Sequence, residues 1–242
     1  MPNKITRIDK EERTYFVDAL DMELPSVTTI IGQLDKSGPL MGWAVKVMGE
    51  YLQAHPEELK DNPADTYKKA KGWYKELSRQ AMDLGSEIHN LLEVHLKGQK
   101  VEGLLEANPL LNKPFEEFLA WKGTRKFELV ESEHIVWSHL KYAGTLDCVA
   151  KLDGKLYLAD FKSSKAIYDD YLMQVAAYMK AYEERINDGH VIDRKVEGVG
   201  ILRLPKTEKD TFEWKEYTLT EVEDAFESFM CLVSYWWSKK RS

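Results

Sequence analysis

The sequence predicts an α/β fold: a mixed central sheet with flanking helices and a helical elaboration ahead of it. Three observations predict it. Three consecutive runs, "RKFELVESEHIVWS", "YAGTLDCVAKLD" and "KLYLADFKS", alternate apolar and polar side chains, the period of half-buried strands. "IYDDYLMQVAAYMKAYEERIND" then changes to helical period and is followed by "VEGVGILRLPK" and "TFEWKEYTL", which again read as strands. Strands, a crossover helix and further strands make an α/β sheet. The front half, by contrast, is mostly helical in pattern.

Taken in order, "GPLMGWAVKVMGEYLQAHPEEL" follows "LPSVTTIIGQL". Its Gly-Pro pair suits a helix start, and Trp43, Val47 and Tyr51 recur on one helical face. "NPADTYKKAKGWYKELSRQAMDLGSEIHNLLEVHLKG" continues the pattern. Asn62-Pro63 opens that helix and Gly98 closes it, while Gly72 and Gly85 weaken it as one unbroken rod. "PFEEFLAWKG" is a further short helix. Asp153-Gly154, between two strand runs, signals a tight hairpin turn. "TEVEDAFESFMCLVSYWWSKK" closes the chain as a helix, with Thr220 as cap and Glu223 three residues on. There is no internal repeat and no low-complexity linker. The expected organisation is a single domain over 1–242. It divides into a mainly helical elaboration with an active-site helix (1–122), a strand-rich core with its crossover helix (123–219) and a C-terminal helix (220–242).

The 242 residues are 43% hydrophobic, enough for one substantial core. The net charge of -7 excludes a protein that coats nucleic acid through bulk positive charge. It leaves open a local basic groove or a site where bound cations face phosphate. Cys148 and Cys231 lack the paired spacing of a zinc or iron–sulfur site and read as buried thiols, which fits a reducing cytoplasm. No apolar run is long enough to span a membrane, and "MPNKITRIDKEERTYF" has no apolar signal segment. The basic tail "WWSKKRS" reads as a solvated terminus, with Trp236 and Trp237 as packing residues.

The stretch from Tyr142 to Lys165 carries the chemistry. Asp160 and Lys162 stand two apart on a strand, so they share a face, separated by roughly 6.6 Å along the backbone. Phe161 points the other way, into the core. The hairpin lays the preceding strand alongside and brings Asp147 towards Asp160. Two carboxylates facing one point repel unless a cation joins them, and an oxygen-rich site suits magnesium or manganese better than zinc. A lysine there can bind a phosphate oxygen or hold an attacking water. A surface salt bridge between Lys162 and an acid is the alternative. "GSEIHNLL" sets Gly85 and His89 one helical turn apart, and "QVAAY" does the same for Gln174 and Tyr178. Each pair, taken alone, also fits a core-edge histidine or an interior tyrosine. "YKKAKGWYKELSRQ" strings Lys68, Lys69, Lys71, Lys75 and Arg79 along a helix with Trp73 and Tyr74. Either phosphate contacts and base stacking or a solvated basic face over buried aromatics would produce that pattern.

In their joint order, "GSEIH", "YAGTLD", "ADFKSSK" and "QVAAY" resemble the PD-(D/E)xK nuclease superfamily, within its RecB-like and Cas4-like branch. "SEHIVWS" resembles the acidic strand that precedes the family's Gly-x-x-Asp element. The likeness covers roughly Gly85 to Tyr178. "LPSVTTIIG" and "LMGWAVK" resemble the leader of small phage exonucleases and their mitochondrial relatives. The resemblance implies a restriction-endonuclease-like core and a magnesium-dependent deoxyribonuclease, with manganese as a substitute. It implies that His89, Asp147, Asp160 and the Phe161 carbonyl hold the metal and that Lys162 is the catalytic lysine. Gln174 and Tyr178, with Ser163, would support the site or face DNA, and Glu133 would act on water or a second ion. Four-cysteine iron–sulfur members are disfavoured, because two cysteines cannot hold the cluster. The expected partner is DNA, single-stranded or with a free end, without a membrane, in the cytoplasm (of the host, if phage-encoded). A DNA endonuclease and an inactive DNA-binding module are the alternatives. A glycosidase using paired carboxylates gains nothing from Lys162 or from Gln174 and Tyr178.

Overall fold

The computed structural model describes residues 4–9, 12–187, 195–207 and 209–240. The chain divides into two compact units, one of residues 1–33 and 88–242, the other of Leu34–Glu87.

The first unit opens on a three-stranded antiparallel sheet of β1 (Ile5–Asp9), β2 (Arg13–Val17) and β3 (Met22–Pro25), followed by α1 (Val27–Ile31). Ser26 caps α1, its Oγ accepting from the Thr29 amide at 2.9 Å. This sheet departs from the helical expectation for the front of the chain. Its strands are short and β1 is largely exposed, so they carry little apolar alternation to read. Tyr15, Val17 and Leu24 pack with Trp137 and Ala143 in one buried cluster.

The second unit holds α2 (Ser37–Ala54), α3 (Pro56–Asp61) and the first part of α4 (Pro63–Leu96). Asn62-Pro63 does open α4: Asn62 Oδ1 accepts from the Asp65 amide at 3.4 Å. The helix runs unbroken past Gly72 and Gly85 to Leu96, and Gly98, two residues on with a φ of 71°, turns the chain away. Of the basic and aromatic residues on α4, Lys69 pairs with Glu58 and Asp65, and Arg79 with Glu76. Trp73 packs on Tyr51 and Tyr74 on Trp43 within the unit.

Back in the first unit, α5 (Glu102–Ala107) and α6 (Asn112–Gly123) precede a five-stranded mixed sheet. Its strands are β4 (Phe127–Ser138), β5 (Tyr142–Leu152), β6 (Lys155–Lys162), β7 (Gly198–Arg203) and β8 (Glu213–Tyr217), in that spatial order. All neighbours are antiparallel except β6 and β7, which α7 (Asp169–Asn187) connects. The β5–β6 turn is at Asp153 and Gly154, both with positive φ (52° and 89°), as a two-residue hairpin requires. The chain ends in α8 (Leu219–Lys240), which packs on α7. Its capping box is Thr218 with Glu221, not Thr220 with Glu223. The Glu221 amide reaches Thr218 Oγ1 at 3.2 Å and the Thr218 amide reaches Glu221 Oε2 at 2.8 Å, so the helix starts one residue before Thr220.

Helices cover both faces of the five-stranded sheet. α7 lies on one; on the other, Phe161 of β6 meets Phe118 of α6 and His89 of α4 at ring distances of 5.9 and 6.2 Å. Cys148 is buried as expected, whereas Cys231 is exposed on α8, because its side of that helix faces away from the packed residues Phe229, Val233 and Trp236. Trp236 is buried, and Trp237 packs against the N-terminal cluster. Asp188, the last residue of the expected crossover helix, and residues 241–242 of the basic tail lie outside the described residues. Among the described residues, no helix is long and apolar enough to cross a membrane.

Candidate metal centre

The site forms where β5 and β6 part. Their ladder ends at Cys148↔Ala159, and the next step of that register sets Asp147 across from Asp160. β6 continues alone against β7 through Lys162. The Leu204 amide bonds the Lys162 carbonyl at 2.7 Å, so Lys162 turns its backbone groups towards β7. By alternation, Phe161 turns its own towards β5. The amide that β5 leaves unpaired there is taken by a side chain: Phe161 N donates to Asp147 Oδ2 at 2.7 Å. The Phe161 carbonyl opens on the same side.

β4 supplies the third acid. The pairs Ser132↔Cys148 and His134↔Leu146 set Glu133 level with Asp147, so Glu133, Asp147 and Asp160 stand in a row across three strands. The β4 register slips between Leu129 and Glu131, and Glu133 itself has a φ of 50°, a left-handed conformation that a glutamate adopts at a cost. From α4, His89 Nδ1 reaches within 3.6 Å of Asp147 Oδ1. One ligand atom each from His89, Glu133 and Asp147 lies within 4.8 Å of the others, a spread that small side-chain rotations close around a divalent ion. Asp160 is not part of that group.

Asp160 is instead held by its neighbours. It is 1% exposed. Lys162 Nζ stands 2.5 Å from its Oδ2 as an ion pair, without the angle of a hydrogen bond, so this buried oxygen receives none. Its Oδ1 accepts from Gln174 Nε2 at 3.2 Å. The same Gln174 nitrogen donates to the Tyr178 hydroxyl at 3.1 Å, and Gln174 Oε1 accepts from Lys162 Nζ at 3.1 Å. The amide thus presents oxygen to the ammonium and nitrogen to the carboxylate, which fixes both. Tyr178 is buried against β5, and Gly144 makes room for it: a Cβ there would lie 2.4 Å from the ring. Ser163 follows directly on β6 and is half-buried.

The electrostatics are those of crowded acids. Burial raises Glu133 to about 7, and the Asp147 and Glu93 carboxylates add to the shift. Burial also raises Asp160 to about 6 against the opposing pull of Lys162, with Asp147 reinforcing the rise. Asp147 falls below its ordinary value. Burial pushes it up, but the His89 and Lys162 charges and the Phe161 amide outweigh that. His89 and Lys162 both end above their ordinary values, because the neighbouring carboxylates overcome the burial of each. An imidazole and two carboxylates form a donor set that a divalent cation fits, and its charge would relieve the repulsion.

Two contributors escaped the sequence reading. Glu93 lies one turn beyond His89 on α4, and its charge reaches Glu133. Tyr171 lies three residues before Gln174 on α7, and its ring centroid is 5.0 Å from Lys162 Nζ. Helical spacing from His89 and from Gln174 was the available signal for both.

No family model matches the chain, and no curated protein does. Among solved structures, it is similar to the crystal structure of a protein from Eubacterium rectale named "Putative exonuclease", with 13% identity and a TM-score of 0.41. The likeness covers 61% of this chain and 64% of that one, under two thirds of either.

Proposed function

We propose that the chain is a divalent-metal-dependent DNA exonuclease that hydrolyses phosphodiester bonds at DNA ends. The observation that carries the reading is the row of Glu133, Asp147 and Asp160 across three strands, with His89 at one side and Lys162 fixed at the other. His89, Glu133 and Asp147 would hold the ion, with the Phe161 carbonyl on the same side of β6. When bound, a divalent cation acts as a Lewis acid on the phosphate and makes an attacking water more acidic.

The chain's own residues do the rest. The Phe161 amide fixes Asp147 through Oδ2 and leaves Oδ1 turned towards His89. Gln174 orients Lys162, whose ammonium Asp160 and Asp147 keep protonated. That ammonium donates to a phosphate oxygen or to the attacking water and offsets charge that grows in the transition state. The water oxygen bonds to phosphorus and gives up a proton to solvent water, the bond from phosphorus to the 3′ oxygen breaks, and the 3′ oxygen takes a proton from solvent water. The product retains a 5′ phosphate, and no covalent enzyme intermediate forms.

The test is a time course with end-labelled linear and closed circular DNA, each single- and double-stranded, in magnesium or manganese and in EDTA. Linear DNA is expected to shorten from an end only with metal, while circles persist. Asp160→Asn and Lys162→Ala are each expected to lose about a hundredfold in rate, roughly 3 kcal/mol of transition-state stabilisation, with the fold retained by circular dichroism. Cleavage of circles as fast as of linear DNA would replace exonuclease with endonuclease. Full activity of either variant would remove that residue from its role.

A further inference from the structure

An aromatic step stands beside Lys162 that the proposed chemistry leaves unused. Tyr171 lies beneath the ammonium, its ring centroid 5.0 Å from Lys162 Nζ. Tyr168 meets Tyr171 edge to face, with centroids 5.5 Å apart and planes at 80°. Tyr168 directly precedes α7 and Tyr171 lies in its first turn, where the Tyr171 amide bonds the Tyr168 carbonyl at 3.0 Å. The two rings differ in freedom. Tyr171 is half-buried. Tyr168 is 49% exposed. The inner ring therefore lies between Lys162 and Tyr168, and the outer ring stands largely in solvent.

A phosphate held by Lys162 carries a sugar and base on either side. The contacts of 5.0 and 5.5 Å keep the Tyr168 ring no farther from Nζ than their sum, a span on the scale of one nucleotide with its base. In a duplex, that base would have its faces covered by its neighbours in the stack. In a single strand, its face is free, and an aromatic side chain stacks on it irrespective of sequence. An edge-to-face pair suits this use, because it covers at most one of the outer ring's two faces. We propose that Tyr168 is the stacking platform for an unpaired base next to the scissile phosphate. The substrate is then single-stranded DNA or a frayed single-stranded end. Tyr168 binds, and Tyr171 positions both Tyr168 and Lys162. The proposal rests on the nuclease reading and adds the strand class to it.

The experiment compares wild type, Tyr168→Ala and Tyr168→Phe by fluorescence anisotropy in calcium. The probes are short single-stranded oligonucleotides, intact or with one abasic site at each of the last three positions of either end. For wild type, one abasic position is expected to weaken binding about tenfold, as loss of one stacked base does. Tyr168→Ala should bind that abasic oligonucleotide and the intact one equally, and Tyr168→Phe, which keeps the ring, should discriminate like wild type. In magnesium, Tyr168→Ala should raise KM for single strands while kcat changes little. Because Tyr168 is exposed, the variant is expected to fold, which circular dichroism checks. Discrimination retained by Tyr168→Ala, or absent from wild type, would overturn the stacking role while cleavage by wild type left the nuclease reading standing. If wild type cleaved no DNA with any divalent metal, the nuclease reading would fail and this inference with it.

Discussion

Glu133 shows what the site costs the fold. Its backbone is left-handed, its carboxyl is half-buried, and Asp147 and Glu93 oppose its charge. Glu133 titrates at about 7 in the folded chain against an ordinary 4.5, and Asp160 at about 6 against 3.8. The folded state therefore binds more protons than the unfolded state between roughly pH 4 and 7. These two groups contribute stability below that window and lose it as pH rises through it. In EDTA at pH 8, Glu133→Gln should melt higher than wild type, by roughly 2–4 °C for each kcal/mol of repulsion relieved, and the gain should vanish near pH 4. Calorimetric scans at the two pH values check it, and a lower Tm at pH 8 would contradict the crowding of acids. Asp147, Asp160 and Lys162 were legible in the sequence, because strand alternation and a hairpin signal set their spacing. The closeness of Glu133 to Asp147 was less so. It depends on a register slip in β4 and on a positive φ, neither of which the alternation of "ESEHIV" reveals.

Elements explain the short motifs. The glycine of "YAGTLD" is needed because the Tyr178 ring of α7 lies where a Cβ would stand. Tyr178 is 3% exposed and tied to Gln174, so it cannot swing aside. Gly144→Ala should therefore destabilise the fold by about 1–3 kcal/mol and lower Tm by several degrees. Because the shift passes from Tyr178 to Gln174 and Lys162, turnover should fall as well. Thermal unfolding and a rate measurement below Tm separate the two effects, and an unchanged Tm would show that α7 yields freely. The hairpin, the crossover helix and both ends of α4 were legible because Gly, Pro and Asn mark them. The N-terminal sheet was not, since β1 and β2 are five residues each and β1 buries none of its residues fully. The α8 cap fell two residues early, because "TLTEVE" offers two threonines each followed by an acid three places on.

At the scale of the whole molecule, charge decides what the site needs. A chain with a net charge of -7 that gathers three carboxylates at one sheet end repels a phosphate unless a cation stands between them. Lys162 alone does not reverse that field, since Asp160 already neutralises it at 2.5 Å. On the proposed nuclease reading, a divalent ion would be central to both binding and turnover. The most direct measurement is a manganese titration of wild type and Asp147→Asn, followed by electron paramagnetic resonance with the fold verified. Wild type is expected to bind the ion, with affinity at least tenfold above that of Asp147→Asn. Equal affinity in the two proteins, or no binding by wild type, would contradict a shared cation pocket built from His89, Glu133 and Asp147.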